Sequence, residues 1–476
     1  MTAETNNNLD RLFYPRNIAM VGASPKRGKG WNTGNSYIAA AMKQDFPGNI
    51  YPVHPKAETI LGYKAYSNVR DIPGEIDLAI FTIPTHAALK VMEDCAVKGV
   101  KFVHLLTAGF TETGRPEHAE LEKKLVEIAQ KGGVRIVGPN CMGLYCPEGG
   151  IAWDEDFSTR PGPIGFFSQS GQLASHFIRD GENQGLAFSK AVSFGNASDL
   201  KAHHFLEYLA GDEKTEIIGS YLEGLKDGRE FFETARKTTR EKPLVIWKGG
   251  QTEGGSRATQ SHTAAIAGSS KVWQAMCQQA GIISVHSMTE AIFTVSALQT
   301  MKLPKGLRVA ILGGAGGGSV TMTDMAEKNG LKVPHLSDKT VRTLEKFVPL
   351  AGNSVRNPLD AFFNKDEEYM TLARLLREDP NIDAFIYNLR FFGMLRDRGR
   401  AGLHNFFLTI IEMAKKLEKP LFLILESTDE VETSMMNKDA ALIFQENGIA
   451  TFPSFEIAAS VLYNLKGYHD YLSRAE

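Results

Sequence analysis

Cysteine is scarce: Cys95, Cys141, Cys146 and Cys277 are the only thiols in 476 residues. Four cysteines in so long a chain make no disulfide framework, and the Cys141/Cys146 spacing is not that of a CxxC redox or zinc site. Buried free thiols and no metal centre are therefore expected. Long apolar runs are missing too: no stretch reaches 18 residues, so no membrane-spanning helix is expected. The opening MTAETNNNLDRLF has no apolar signal core. Nor does either charge sign prevail, with 53 Lys and Arg against 55 Asp and Glu, so no global field selects nucleic acid or an anionic membrane. These absences point to a cytoplasmic protein. What is plentiful is glycine, at 45 residues, which suits tight turns where backbone approaches a ligand. The length suits about three domains at roughly 100–200 residues each.

Strands and helices alternate from the start. Strands are expected at 17–21, 49–53, 76–84, 101–106 and 135–137, with helices near 36–43, 87–97 and 116–130. This alternation implies a parallel sheet with right-handed crossovers. A Gly- and Pro-containing stretch, 147–163, reads as a linker. A second unit opens with strand 164–167, the turn Ser168-Gln169-Ser170-Gly171 and a helix from about Leu173. Further strands are expected at 217–222 and 244–248. The polar stretch 249–270 is long enough to be functional or disordered. After Leu303-Pro304-Lys305-Gly306, a third unit repeats the device of strand (308–312), Gly-rich turn (313–318) and helix. The domains are expected over residues 10–146, 155–300 and 305–470.

Gly22-Ala23-Ser24, with Gly28, Gly30 and Gly34 following, lies between a strand and a helix, where small residues let backbone N–H groups reach a phosphate. It is no P-loop, because Lys29 is followed by Gly30 rather than Ser or Thr. It is a poor nicotinamide-dinucleotide motif too: the second strand ends at His54-Pro55-Lys56, where a ribose-binding carboxylate is wanted. Lys26, Arg27, Lys29 and Lys56 favour a ligand with several phosphates; solvated basic residues around an ordinary turn are the plainer alternative. Ser168-Gln169-Ser170-Gly171 offers hydroxyls and N–H groups at a helix N-terminus, either a phosphate site or a simple N-cap. His262, in Ser261-His262-Thr263, is a loop histidine among small residues. Imidazole becomes a competent nucleophile when a carboxylate fixes its tautomer, and Glu223, at the end of strand 217–222, is the candidate carboxylate. Gly138-Pro139-Asn140-Cys141 could line an inter-domain cleft. Gly313–Gly318 and Asn357-Pro358-Leu359-Asp360 bring no nucleophile or base and read as turns.

Taken in order, these motifs resemble the α subunit of NDP-forming acyl-CoA synthetases, typified by ADP-forming acetyl-CoA synthetase, in the succinyl-CoA synthetase superfamily. The resemblance includes Val21–Ser24, Tyr51–Lys56, Ala108-Gly109-Phe110, Gly138–Gly143, Ser168–Gly171, Ser193–Asn196, Tyr221–Gly224, Lys226-Asp227-Gly228, Ser261-His262-Thr263 with Ala267-Gly268-Ser269, and Asn357–Asp360. It implies an α/β chain: an N-terminal Rossmann-like CoA-binding domain followed by two flavodoxin-like (succinyl-CoA synthetase-like) domains. It implies that His262 is phosphorylated and that Glu223 supports it. Ser168, Ser170, Gly171, Gly195 and Asn196 would lie around phosphate, and Gly22, Ala23, Ser24, Lys26, Lys56, Pro84 and Asn140 along coenzyme A. The implied reaction is acyl-CoA, phosphate and ADP (or GDP) to acid, CoA and ATP (or GTP), through an acyl phosphate. Nucleotide and Mg2+ would sit on an ATP-grasp β partner, in a heterotetramer-like assembly. The departures are Ala264-Ala265 after Thr263, and Tyr387–Asn405 with Arg390, Arg396, Arg398 and Arg400, which matches no family motif. A non-catalytic CoA-binding or regulatory protein of the same fold is the alternative.

Overall fold

The computed structural model describes residues 9–25, 34–255, 257, 269–313, 316–349, 351–361, 363, 365–389, 394–426 and 431–474. His262 and Lys26 lie outside these residues, as do Arg27–Gly30 and Arg390; the side chains of Arg396, Arg398 and Arg400 are not described either. The chain forms two compact units, one ending at Val285 and one beginning at His286.

Among the described residues the first unit holds two large sheets and a two-stranded hairpin. Its leading elements are β1 (Asn17–Val21), α1 (Gly34–Lys43), β2 (Asn49–Val53), the hairpin β3 (Thr59–Ile60) and β4 (Tyr63–Lys64), β5 (Leu78–Phe81), α2 (Thr85–Lys98), β6 (Phe102–Leu105), α3 (Pro116–Lys131) and β7 (Arg135–Val137). The parallel order is β2-β1-β5-β6-β7, the doubly wound 2-1-3-4-5 arrangement. Continuous apolar strands such as LAIF at β5, buried at every position, are what a sheet covered on both faces requires. Ala19, Val21, Ala79, Phe81, Val103 and Leu105 pack with Ala88, Met92 and Leu125 of α2 and α3 to form one core.

The second sheet comprises β8 (Gly143–Tyr145), β9 (Pro161–Ser168), α4 (Gly171–Asn183), β10 (Phe188–Ser193), α5 (Ala202–Gly211), β11 (Ile217–Leu222), α6 (Gly228–Thr238), β12 (Leu244–Lys248), α7 (Ser270–Ala280) and β13 (Ile283–Val285). Its order is β13-β12-β11-β9-β10-β8, with β8 alone antiparallel; the parallel part repeats 2-1-3-4-5. Residues 147–163 are not the exposed linker their composition suggests. Trp153 and Phe157 are fully buried, Trp153 Nε1–H donates to Ser175 Oγ of α4 at 2.9 Å, and Gln44 beside α1 donates to Phe157 O at 3.2 Å. The segment is packed between the helices of the two sheets.

The second unit runs through α8 (Met288–Thr300), β14 (Val309–Leu312), α9 (Gly317–Lys328), α10 (Asp338–Leu344), α11 (Asp366–Glu378), β15 (Ala384–Asn388), α12 (Met394–Leu417), β16 (Leu421–Ile424), α13 (Val431–Glu446), β17 (Thr451–Phe452) and α14 (Phe455–Ser473). Its sheet is β14-β15-β16-β17, all parallel. Two isolated parallel bridges, Arg308 to Lys332 and Leu312 to Leu359, stand where the flavodoxin order has its second strand. Asn357 supports that edge, accepting from Ile311 N–H and donating to the carbonyls of Val309 and Pro334. Helix α8 packs on α14, where Glu290 accepts from Asn464 at 2.8 Å and from Ser460.

Candidate active site

In each doubly wound sheet the ligand crevice is expected where the strand order reverses, because loops from neighbouring strands leave there in opposite directions. In the first sheet that point lies between β1 and β5. Gly22 follows β1 with φ +104°, and a Cβ there would lie 2.6 Å from the carbonyl oxygen of Thr82, just past β5. From the other side, a Cβ on Gly34 would lie 2.6 Å from Ala23 N. Two residues without side chains thus let turn, strand end and helix start converge, leaving a backbone cradle that a Cβ would fill. Asn35 holds the turn, accepting from Ser24 N–H at 2.8 Å and donating to Ser24 O at 2.9 Å. Ala23 is buried. Pro84 is exposed at the N-cap of α2. Lys56 is exposed just past β2, in a turn whose N–H groups donate to His54 Nδ1. Gly22, Ala23, Ser24 and Pro84 therefore meet at the reversal point, with a cation on the adjacent strand.

In the second sheet the reversal lies between β9 and β11. Ser168 pairs in register with Tyr221 of β11 and with Ser193 of β10, so three strand ends are level. The Ser168 hydroxyl closes the turn, accepting from Ser170 N–H at 3.1 Å and donating to Ser170 O at 2.8 Å. Ser170 Oγ accepts from Leu173 N–H, the N-cap of α4. That leaves the N–H groups of Gly171 and Gln172 without a helical acceptor, pointing out of a 13-residue helix. A side chain at Gly171 would strike Met142 Cγ at 2.3 Å, so this helix start is also pressed against the connection from the last strand of the first sheet to β8.

Glu223, 7 % exposed, follows β11 across the same crevice. Gln169 spans the gap: its Oε1 accepts from the N–H groups of Glu223 and Gly224. Tyr221 donates its hydroxyl to Glu223 Oε1 at 3.3 Å. Burial and the Glu223 charge push the Tyr221 phenol well above its ordinary range, so it remains a donor. Lys248, at the end of β12, donates to Glu223 O at 2.6 Å and to Gly249 O. Burial lowers its pKa, and Glu223 opposes that shift. Glu223 is thus fixed before any partner arrives, its carboxylate by a phenol and its backbone by an amide oxygen and an ammonium. Strand β12 then enters the stretch that carries His262.

The turns that end β7 and β10 are joined. A Cβ on Gly195, at φ +49°, would overlap the carbonyl oxygens of Pro139 and Asn140, at 2.2 and 2.3 Å. Asn196, Ser198 and Leu200 donate their N–H groups to Pro139 O, Gly138 O and Ile136 O, which covers the open edge of β7. Asn196 gives its side-chain amide to Glu112 at 2.6 Å and to Glu122 at 3.0 Å. Burial opposes ionisation of Glu112, but the hydrogen bonds from Asn196 and from Gly109 and Phe110 N–H outweigh it, and its pKa is lowered. Arg135 closes the seam on Asp199 at 2.8 Å. Gly195, Asn196 and Asn140 are therefore brought together, at this seam; Asn140 stands beyond β6, not in the β1/β5 crevice, and donates its N–H to Thr107 O.

Gln169, Tyr221, Lys248, Glu112 and Glu122 were not among the residues picked from the sequence. Gln169 and Tyr221 sit inside motifs that were, so their positions were a signal; the two glutamates carry none. Among the described residues no cluster of His, Cys, Asp and Glu could hold a metal ion, and no helix is long and apolar enough to cross a membrane.

Residues 16–147 match the family described as a CoA binding domain, and residues 161–298 match the succinyl-CoA ligase like flavodoxin domain. The chain is 37 % identical over 465 residues to the acetate–CoA ligase (ADP-forming) II subunit alpha of Pyrococcus furiosus, covering 96 % of this chain and 97 % of that one. It is 34 % identical to the acetate–CoA ligase (ADP-forming) II of Archaeoglobus fulgidus, covering 96 % of this chain and 66 % of that longer one. Its fold is similar to that of a dinucleotide forming acetyl-coenzyme A synthetase 1 from Ca. Korarchaeum cryptofilum, solved with phosphate and ADP. There the TM-score is 0.81 and the identity 30 %, over 98 % of this chain and 99 % of that one.

Proposed function

Because the chain belongs to the ADP-forming acetate–CoA ligase family, we propose that it is the subunit that binds the coenzyme A thioester and carries the phosphoryl group. With a nucleotide-binding partner of ATP-grasp type, it interconverts acyl-CoA, phosphate and ADP with carboxylic acid, CoA and ATP. The observation that carries this reading is the presence of two reversal-point crevices within one compact unit. One is a glycine-lined cradle with a cation at its margin, the other a helix N-terminus facing an anchored carboxylate. The first suits a phosphate-rich ligand; the second suits phosphate itself.

In the proposed cycle a phosphate oxygen attacks the thioester carbonyl, the C–S bond breaks, and acyl phosphate and CoA result. His262 then attacks phosphorus, the P–O bond to the acyl group breaks, and the carboxylate leaves. Finally ADP takes the phosphoryl group from His262 on the partner. Gly22, Ala23, Ser24, Lys26, Lys56 and Pro84 are proposed along coenzyme A. The N-terminus of α4, with Ser168, Ser170 and Gly171, is proposed to hold phosphate, and Glu223 to accept a proton-bearing ring nitrogen of His262. Gly195, Asn196 and Asn140 act on this reading by fixing the seam. Positioning and charge stabilisation supply most of the catalysis in such transfers.

The test is ATP formation from acyl-CoA, ADP and phosphate by the chain together with an ATP-grasp partner, alongside calorimetric titration with CoA and NAD. Turnover with CoA bound more tightly than NAD supports the reading. Tighter binding of NAD, or no turnover with any partner, overturns it.

A further inference from the structure

Gln169 stands between the last residue of β9 and Ser170, the N-cap of α4. Its backbone N–H donates to Tyr221 O at 3.1 Å, which extends the pairing of β9 with β11 by one residue. Its side-chain oxygen accepts from two successive N–H groups at the end of β11, those of Glu223 and of Gly224, the latter at 2.9 Å. An amide nitrogen cannot accept, so these two donors settle which arm of the amide faces β11. The other arm, Nε2 with its two N–H bonds, donates to no described residue. The residue is 9 % exposed, and an unpaired donor in so buried a place is costly. Because its oxygen is pinned twice, the amide is not free to turn and find an acceptor elsewhere.

We propose that Gln169 contacts the substrate phosphate, its Nε2–H groups donating to a non-bridging oxygen of the phosphate held at the start of α4. This inference rests on the reading of the chain as an acyl-CoA ligase subunit. Three observations carry it. The first is placement: Gln169 directly precedes the N-cap, so its amide belongs to the same turn as the N–H groups of Gly171 and Gln172. The second is direction. The oxygen is committed to β11, and the nitrogen is left in the gap between β9 and β11 that the side chain spans. The third is charge. Phosphate and the Glu223 carboxylate would share one crevice and repel each other. An ammonium or guanidinium at position 169 would pair with Glu223 and cancel it. A neutral amide donates to phosphate and leaves the Glu223 charge in place for its own partner. The nearby cation, Lys248, is turned to the carbonyls of Glu223 and Gly249. Gln169 gains and loses no proton in this role; it supplies a fixed dipole where charge is redistributed on the phosphoryl oxygens.

Two substitutions separate the donor from the anchor. Gln169→Glu keeps an oxygen for the Glu223 and Gly224 N–H groups and removes only the donor; Gln169→Met removes both and adds no charge. The complex with its partner is assayed with acetyl-CoA and ADP at saturation and phosphate varied. In both variants kcat/KM for phosphate is expected to fall by about 10²–10³-fold, the scale on which one preorganised donor acts, with KM for acetyl-CoA unchanged. Separately, inorganic phosphate is titrated into the chain and followed by phosphorus NMR, a readout that needs no turnover and serves if either variant assembles poorly. Binding by the wild type and its weakening in both variants support the contact. A loss in Gln169→Met alone would make Gln169 an anchor only, and a loss in Gln169→Glu alone would report mere repulsion by the introduced charge. Either result overturns the contact, as does phosphate binding that neither substitution alters. Inactivity toward every acyl-CoA, with phosphate bound by the wild type and weakened in both variants, would sink the ligase reading and leave the contact standing.

Discussion

Glu223 is held in place by groups that do not themselves react. Tyr221 donates to its carboxylate, Gln169 fixes its backbone, and Lys248 holds its carbonyl. A carboxylate so restrained suits one imidazole nitrogen, leaving the other free to attack phosphorus. His262→Asn is therefore expected to abolish both turnover and acid-labile, base-stable labelling from ATP in the complex, with CoA binding nearly unchanged. Glu223→Gln is expected to keep labelling but slow it by about 10²–10⁴-fold. Stoichiometric phosphate on another residue by mass spectrometry, or full turnover by His262→Asn, would end the assignment. At the other crevice Gly34 is the sensitive residue, since any Cβ meets Ala23 backbone and not a yielding side chain. Gly34→Ala is expected to lower stability by roughly 1–3 kcal/mol and to weaken CoA binding. Denaturant unfolding and CoA titration check this, and a variant with wild-type values for both would show that the close approach is unimportant.

At the scale of elements, the seam between β7 and the turn after β10 depends on Glu112 remaining ionised. Its folded pKa lies below the ordinary value of 4.5, so its contribution is present above that value and is lost as pH falls through the folded one. Stability should drop more steeply below about pH 4.5 in the wild type than in Glu112→Gln, by urea unfolding across that range; parallel acid limbs would count against the tie. This seam was not legible in the sequence, because Asn196 meets Glu112 and Glu122 across 84 and 74 residues and no local pattern encodes such a pairing. The reversal-point turns were legible, since strand, glycine and helix start lie adjacent in the chain. Strand β10 escaped notice because Ser189 and Lys190 interrupt its apolar run. Lys190 is nonetheless fully buried, paired with Asp212 at 2.7 Å and set against the rings of Tyr14 and Tyr208. The stretch 147–163 misled in the opposite way. Its Gly and Pro content signals a loop, while the pair Trp153 and Phe157 held the contrary signal of a buried segment.

At the scale of the whole molecule, the first unit holds a CoA binding domain and a succinyl-CoA ligase like flavodoxin domain, proposed to take the thioester and to carry the phosphoryl group, and the second unit holds a further parallel sheet. The proposed cycle needs one more component, a place where ADP meets the phosphorylated histidine. The chain spans 97 % of a relative named subunit alpha but 66 % of a relative named as the ligase without a subunit label. The name subunit alpha, borne by the relative that this chain matches over nearly its whole length, supports the proposed placement of the nucleotide site on a partner. Purified alone, this chain is therefore expected to bind CoA but to form no ATP from acyl-CoA, ADP and phosphate. Adding an ATP-grasp partner is expected to restore turnover, saturating at a fixed ratio of the two chains. The same mixture made with His262→Asn should assemble and remain silent, which separates failure of chemistry from failure of assembly. Sedimentation and a coupled ATP assay, run on the same samples, read the two outcomes independently. Robust ATP formation by the isolated chain would mean that the nucleotide site lies within these 476 residues, and the assignment to a partner would have to be withdrawn.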